Sequence, residues 1–330
     1  MAGIRRILVA VNALDAKALP AVLKSAQIAR AYRAQVELYH SLDAPVYADL
    51  YGLESQTLPD LERNLRQQAI RKLEDIADRL RQHDLKVSVS AEWDFPAYEA
   101  IVRRAVRIKA DLIVTAAHAG RHRLPSLMRL TDWELMRLSP VPILVVKNPR
   151  PYRHPAILAA IDPTHAFAKP LQLDKSILHL GANLREKLRG TLHVVHAFAG
   201  ALGVTPPVMG ITPTVIEQIL QEVQREAKVK FDRALRGTRI ARSRRYLLAH
   251  DPVTGISEAA RKSRSAIVIM GAMSRTGFKR LLIGNTAERL LDDLSCDILV
   301  VKSSKFRSRV PRKARGAHLV VSPPLTMGFY

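Results

Sequence analysis

The chain has 330 residues, 48% hydrophobic and 25% charged, and its 52 Lys and Arg against 30 Asp and Glu give a formal charge of +22. At about 150 residues per domain this length predicts two domains, and no apolar run reaches the roughly 20 residues that span a bilayer. A single cysteine, Cys296, excludes a disulfide framework and a cysteine-cluster metal site.

The N-terminal MAGIRRILVAVN offers only ILVAV as an apolar core before Asn12 and Asp15, so it reads as a first strand rather than a signal peptide, and the protein is expected in the cytoplasm. ILVAVN at 7–12 recurs as ILAAID at 157–162, and SPVPILVVK at 139–147 recurs as LSCDILVVK at 294–302. Such self-similarity predicts a tandem duplication, with residues 1–150 and 151–304 as its domains, joined through the Pro- and Arg-rich link at 148–153. Residues 305–330 form a basic C-terminal tail.

In the first domain RILVAV is a buried strand, and 17–33 carries helical spacing through Leu19, Val22, Leu23, Ala26 and Ile28. QVELYH at 35–40 is a second strand, and 60–82 a long amphipathic helix through Leu61, Leu65, Ile70, Leu73, Ile76 and Leu80. LKVSVSAEW alternates as a third strand, and Pro96 opens a helix over 96–108. DLIVTAA and PILVVK supply two more strands around a helix near 125–138. The second domain repeats this order. AILAAID is followed by a helix over 171–188, TLHVVHAF by a long helix over 214–235 that opens on the capping box Thr214-x-x-Glu217. Residues 243–249 are a third strand, 252–263 a helix, AIVIMG the fourth strand, 284–294 a helix and DILVVK the fifth strand.

Apolar strands alternating with helices imply a doubly wound parallel sheet with helices on both faces. The fold class is therefore α/β, two tandem five-stranded sheets, each in the order 3-2-1-4-5 if the crossovers are right-handed. Ligands bind such sheets outside the carboxyl ends of the strands, where the order reverses. In the second domain those ends are Asp162 and Gly271. The stretch that follows, GAMSRTGFKRLLIGNTAERLL, brackets a loop with glycines and opens a helical pattern at Gly284-Asn285-Thr286. Glycines let backbone approach an anion, and free N–H groups at a helix start point at negative charge. A strand-to-helix connection using glycine only to turn is the competing reading. The Walker spacing is absent, as is a dinucleotide Gly-x-Gly-x-x-Gly.

The arrangement Gly271-x2-Ser274-x9-Gly284-Asn285-Thr286 resembles the nucleotide loop of universal stress proteins, Gly-x2-Gly-x9-Gly followed by Ser or Thr. The resemblance covers about 4–147 and 154–302, and Thr131-Asp132-Trp133 with GNTAE looks like the tandem subgroup of that family. It implies a stress-response binding protein holding ATP, with or without Mg2+, in the second domain. Asp162 would then sit near the nucleoside, Met270 and Gly271 near ribose and phosphate, and Gly284, Asn285 and Thr286 around the phosphates, with Arg275 adding charge. Ser274 departs from the second glycine and Asn285 from the expected hydroxyl residue. The first domain keeps the strands but replaces the acid by Asn12 and the first glycine by Ala117, and Arg129 and Leu130 fall opposite Gly284 and Asn285, so a nucleotide is not expected there. The family commonly pairs fifth strands across a dimer; here the two ILVVK segments would make an intrachain pseudo-dimer, and a homodimer remains open.

No hydrolytic motif is present, so any ATP splitting is expected to be slow. His118 and His122 are too few to hold a metal. The loops at 42–53 and 197–214 read as lids packed on their own domains, with an apolar-ligand or protein-interaction module as the alternative function. The tail, with Lys305, Arg307, Arg309, Arg312, Lys313 and Arg315 and no acid, reads as a solvated extension, with nucleic acid or an anionic membrane as weaker partner readings.

Overall fold

The computed structural model describes residues 3–16, 19–44, 46–48, 57–117, 126–164, 171–198, 213–271, 289–290 and 292–321. In the first half these form β1 (Arg6–Ala10), α1 (Pro20–Tyr32), β2 (Gln35–Leu42), β3 (Val46–Ala48), α2 (Thr57–Arg81), β4 (Val87–Trp93), α3 (Ala97–Arg107), β5 (Leu112–Ala116), α4 (Ser126–Leu138) and β6 (Ile143–Val146). Then follow β7 (Ala156–Ala160), α5 (Leu171–Lys187), β8 (Thr191–Ala197), α6 (Pro213–Ala234), β9 (Arg245–Leu248), α7 (Pro252–Lys262), β10 (Ile267–Gly271), β11 (Asp297–Val301) and β12 (Leu319–Val321). No helix among the described residues is long and apolar enough to cross a membrane.

The chain divides into two compact units, an N-terminal one of Ile4–Val141 with Ser308–Tyr330 and a C-terminal one containing Pro142–Arg307. In the N-terminal unit β4, β2, β1 and β5 are neighbours in that order and all parallel. That is the expected 3-2-1-4. Ile7, Leu8, Val9, Ile113 and Val114 are fully buried, which is why these strands read as continuous apolar runs rather than alternating ones. On α2 the buried residues Ala69, Leu73, Ala77 and Leu80 recur at helical spacing and form its core-facing stripe.

The C-terminal unit has the order β6-β11-β10-β7-β8-β9. β11, β10, β7, β8 and β9 run parallel and reproduce 5-4-1-2-3. β6, the fifth strand of the first repeat, lies antiparallel to β11, with Leu144 opposite Leu299. The compact units therefore do not follow the repeat boundary, because the two ILVVK segments pair with one another. The link after β6 is pinned to this unit by Asp297, whose Oδ1 accepts from the backbone N–H of Lys147 at 2.9 Å and of Asn148 at 3.0 Å, while Oδ2 accepts from the Tyr152 hydroxyl at 2.6 Å.

The six expected cations of the tail are exposed, but from Ser308 onward its described part is docked on the N-terminal unit rather than free. The Ser308 hydroxyl donates to the Leu138 carbonyl, Arg103 donates to the Pro311 carbonyl, and the Arg315 backbone N–H donates to Asp94 at 2.9 Å. His318 stacks on Phe95 at 4.5 Å, and β12 pairs in parallel with β3. Neither short strand was expected from the sequence.

Glycine has a sharp steric role at 190, between α5 and β8. A Cβ there would lie 2.1 Å from the Pro155 carbonyl oxygen, the acceptor for the Thr191 N–H at 3.0 Å. Gly190→Ala is expected to destabilise the C-terminal unit by about 3 kcal/mol, the upper end for overpacking. A urea midpoint equal to that of the parent would refute this.

Candidate functional site

The buried run of β7 delivers Ile161 and Asp162 to the carboxyl edge of the C-terminal sheet, and the Ile161 N–H still donates to the Val195 carbonyl at 3.0 Å. One residue on, the Asp162 N–H points at the carboxylate of Asp174 on α5, 3.2 Å from both oxygens. The Thr164 hydroxyl donates to Asp162 Oδ1 at 2.8 Å. Oδ2 of Asp162 is buried and has no hydrogen-bond partner among the described residues, and the residue is 7% exposed. A buried carboxylate oxygen without a donor costs free energy until one arrives. The edge thus presents a preformed acceptor.

The neighbouring strand ends shape its surroundings. On β8, His196 Nδ1 lies 3.3 Å from the Ile161 carbonyl oxygen, and its ring is tilted against Phe198 and Phe231. On β10, Met270 stands beside Ala160 and is buried, and Gly271 follows. A Cβ at 271 would lie 2.6 Å from Leu173 Cδ2 and 3.4 Å from Ile177 Cδ1, both on α5. The bare backbone at 271 therefore lets α5 pack on β10, a structural role beside any contact with a ligand.

Asp162, Met270 and Gly271 come together at adjacent strand ends. Ser274, Arg275, Gly284, Asn285 and Thr286 lie outside the described residues, as do most of the helix expected at 284–294, His118 and His122, half of the loop at 42–53 and most of that at 197–214. Asp174 was missed from the sequence. Its only signal is an acid in the first turn of a helix, where favourable interaction with the helix dipole is reason enough.

The corresponding edge of the N-terminal unit has different chemistry. Asn12 follows Val11, whose N–H donates to the Tyr39 carbonyl at 2.9 Å. Twelve residues after Asp162 stands Asp174; twelve after Asn12 stands Lys24, which is 2% exposed. A pair of carboxylates in one repeat is an amide and an ammonium in the other. With Ala117 at the strand end opposite, the residues that surround Asp162 in the second repeat are replaced in the first.

The family model described as the universal stress protein family matches residues 3–147 and again 157–302. The chain belongs to the universal stress protein family. Its tandem arrangement is that of universal stress protein E of Escherichia coli K12, to which it is 26% identical over 278 residues, covering 81% of this chain and 85% of that protein. A universal stress protein E homolog of Haemophilus influenzae is 25% identical and covers 79% and 85% respectively. Among solved structures, a functionally unknown protein from Pseudomonas aeruginosa PAO1 matches with a TM-score of 0.64 at 23% identity, covering 91% of this chain and 93% of that one. A universal stress protein from Archaeoglobus fulgidus matches with a TM-score of 0.59 at 12% identity, covering 91% and 97%. At these identities the structures speak for the tandem α/β fold alone.

Proposed function

We propose that this universal stress family protein is a cytoplasmic stress-response binding and regulatory module that holds ATP, with or without Mg2+, at the carboxyl edge of its second domain. The observation that carries the reading is the buried Oδ2 of Asp162, without a partner among the described residues, at the strand end where the chain order reverses. It suits a hydrogen-bond donor on the nucleoside, either a ribose hydroxyl or the adenine amino group. The Gly284-Asn285-Thr286 segment would wrap the phosphates, with Ser274 and Arg275 contributing a hydroxyl and a charge. The first domain, with Asn12, Lys24 and Ala117, serves as a structural partner.

A melting scan tests this. Nucleotide at 100 times its Kd should stabilise the protein by about 2.7 kcal/mol. Asp162→Ala removes a hydrogen bond to a charged acceptor, worth about 1.5–3 kcal/mol, and should weaken binding by about tenfold or more. Gly284→Arg should abolish the shift while leaving the unliganded melting temperature unchanged, and Asn12→Asp should create no second site. No shift at millimolar ATP and Mg2+, in folded and ligand-free protein, would end the nucleotide reading.

A further inference from the structure

The amino edge of the C-terminal sheet, opposite the candidate nucleotide edge, carries a row of arginines. β10, β7, β8 and β9 are parallel neighbours, so the turns that precede them lie side by side at about 4.8 Å per strand. Arg264 precedes β10, Arg153 precedes β7, Arg189 precedes β8, and Arg239, Arg242 and Arg244 precede β9, all of them exposed. The turns are in contact. The Ala266 N–H donates to the Ala156 carbonyl at 2.8 Å, the Thr191 N–H to that of Pro155 at 3.0 Å, and His154 Nδ1 lies 2.9 Å from the Arg189 carbonyl oxygen.

Little neutralises this row. From Arg233 to His250 the sequence contains no acid. The ion pairs of this unit among the described residues join Arg225 to Glu222, Lys230 to Glu226, and Glu258 to His250 and Lys262, and use none of these arginines. Exposed Glu186 is the acid closest in sequence to Arg189, and Asp292 and Asp293 bound the row beyond β10, before β11.

Two of the cations also sit on unfavourable backbone. Arg189 and Arg264 have φ of 52° and 49°, in the left-handed region where glycine or asparagine ordinarily ends a helix. Favourable interaction with the dipoles of α5 and α7 accounts for part of this, and Arg33 and Lys109, each with φ of 54°, stand at the equivalent places in the N-terminal unit. There, however, Asp84 and Asp111 share the edge, Asp111 accepting from the N–H groups of Arg5 and Arg6. Arg153, Arg239, Arg242 and Arg244 end no α-helix, so the dipole explanation does not reach them.

We propose that this amino edge is a docking surface for the phosphate backbone of nucleic acid. A line of guanidinium groups matches a line of phosphates, and their planar donor forks bind phosphate in bidentate fashion. A membrane-binding surface would set apolar side chains among the cations, yet the exposed large hydrophobics of this unit among the described residues, Val215, Ile219 and Val229, are all on α6.

Fluorescence anisotropy of a labelled DNA duplex against the full chain is the test, read as a function of salt. If all of these arginines engage phosphates, log K should fall against log salt with a slope of about −5, at roughly −0.9 per contact. Combining Arg239→Gln, Arg242→Gln and Arg244→Gln should bring that slope about 3 units closer to zero and weaken low-salt binding at least about tenfold. Arg189→Asn with Arg264→Asn should weaken binding while keeping or raising the melting temperature, because asparagine tolerates the left-handed backbone. Arg71→Gln with Arg79→Gln on α2 removes the same charge elsewhere and should leave binding unchanged. All these variants should keep the ATP-induced shift in melting, so failure here is distinguishable from failure at the nucleotide edge. The proposal is overturned if the parent does not bind the duplex at about 50 mM salt, if the triple variant binds as the parent does, or if phosphatidylserine vesicles bind where the duplex does not.

Discussion

Asp94→Ala is expected to destabilise the N-terminal unit by about 3–5 kcal/mol, the usual cost of stranding one partner of a buried ion pair. Asp94 lies just past β4 and faces Arg103 on α3 in a paired contact, Nε to Oδ2 and Nη2 to Oδ1, both at 2.7 Å. Both side chains are 3% exposed. Burial pulls the Arg103 guanidinium pKa down, but Asp94 and Glu99 outweigh it and the net shift is upward. With Asp94 gone, Arg103 keeps Glu99 and the carbonyls of Phe95 and Pro311, which cannot replace a bidentate carboxylate. The same substitution removes the acceptor for the Arg315 N–H, so the segment from 308 to 321 should also become more open to proteolysis. Arg315→Ala separates the two effects. Its side chain is 46% exposed and its pair with Glu99 spans 3.0 Å, so its loss should cost under about 1 kcal/mol while still loosening the tail. Equal urea midpoints for Asp94→Ala and Arg315→Ala would show that the buried pair does not hold this unit together.

That network marks the limit of what the sequence discloses. β1, β5, β7, β10 and β11 are visible because strands buried on both faces must be apolar without interruption, and the helices because their stripes recur at helical spacing. Asp162 is visible because two near-identical strands end on Asn12 and Asp162. The tail misleads because six exposed cations without a local acid look like a free extension, whereas the acids that receive Arg315 are 221 and 216 residues away. VYA and LVV are too short to carry a period, and only their partnership makes them β3 and β12. Gly271 misleads more subtly. A glycine at a strand end suits both a phosphate and a tightly packed helix, and only the position of Leu173 reveals the second demand.

Asp297→Ala should destabilise the C-terminal unit by about 3 kcal/mol or more and detach the end of β6. Asp297 is fully buried and accepts three donors, two backbone N–H groups of the link and the Tyr152 hydroxyl. Each buried donor left unsatisfied costs about 1–3 kcal/mol. Burial, followed by the charge of Asp297, pushes the Tyr152 hydroxyl well above its ordinary pKa, so it remains a neutral donor. Tyr152→Phe removes one donor and one bond together and should cost only about 1–2 kcal/mol. Asp297→Asn should fall between, since its amide oxygen can keep the two N–H groups while its NH2 turns to the tyrosine oxygen. The position also explains why duplicated strands play unequal parts. Where β11 begins with Asp297, the matching strand β6 is preceded by Pro142, which offers no carboxylate and no N–H. In an antiparallel pair the end of β6 lies beside the start of β11, so only the second copy can grip the link that leaves the first. Hydrogen exchange over residues 143–152 reads this directly. Faster exchange there in Asp297→Ala than in Tyr152→Phe is the expected order, and parent-like protection in both would mean that β6 is held by its strand pairing alone.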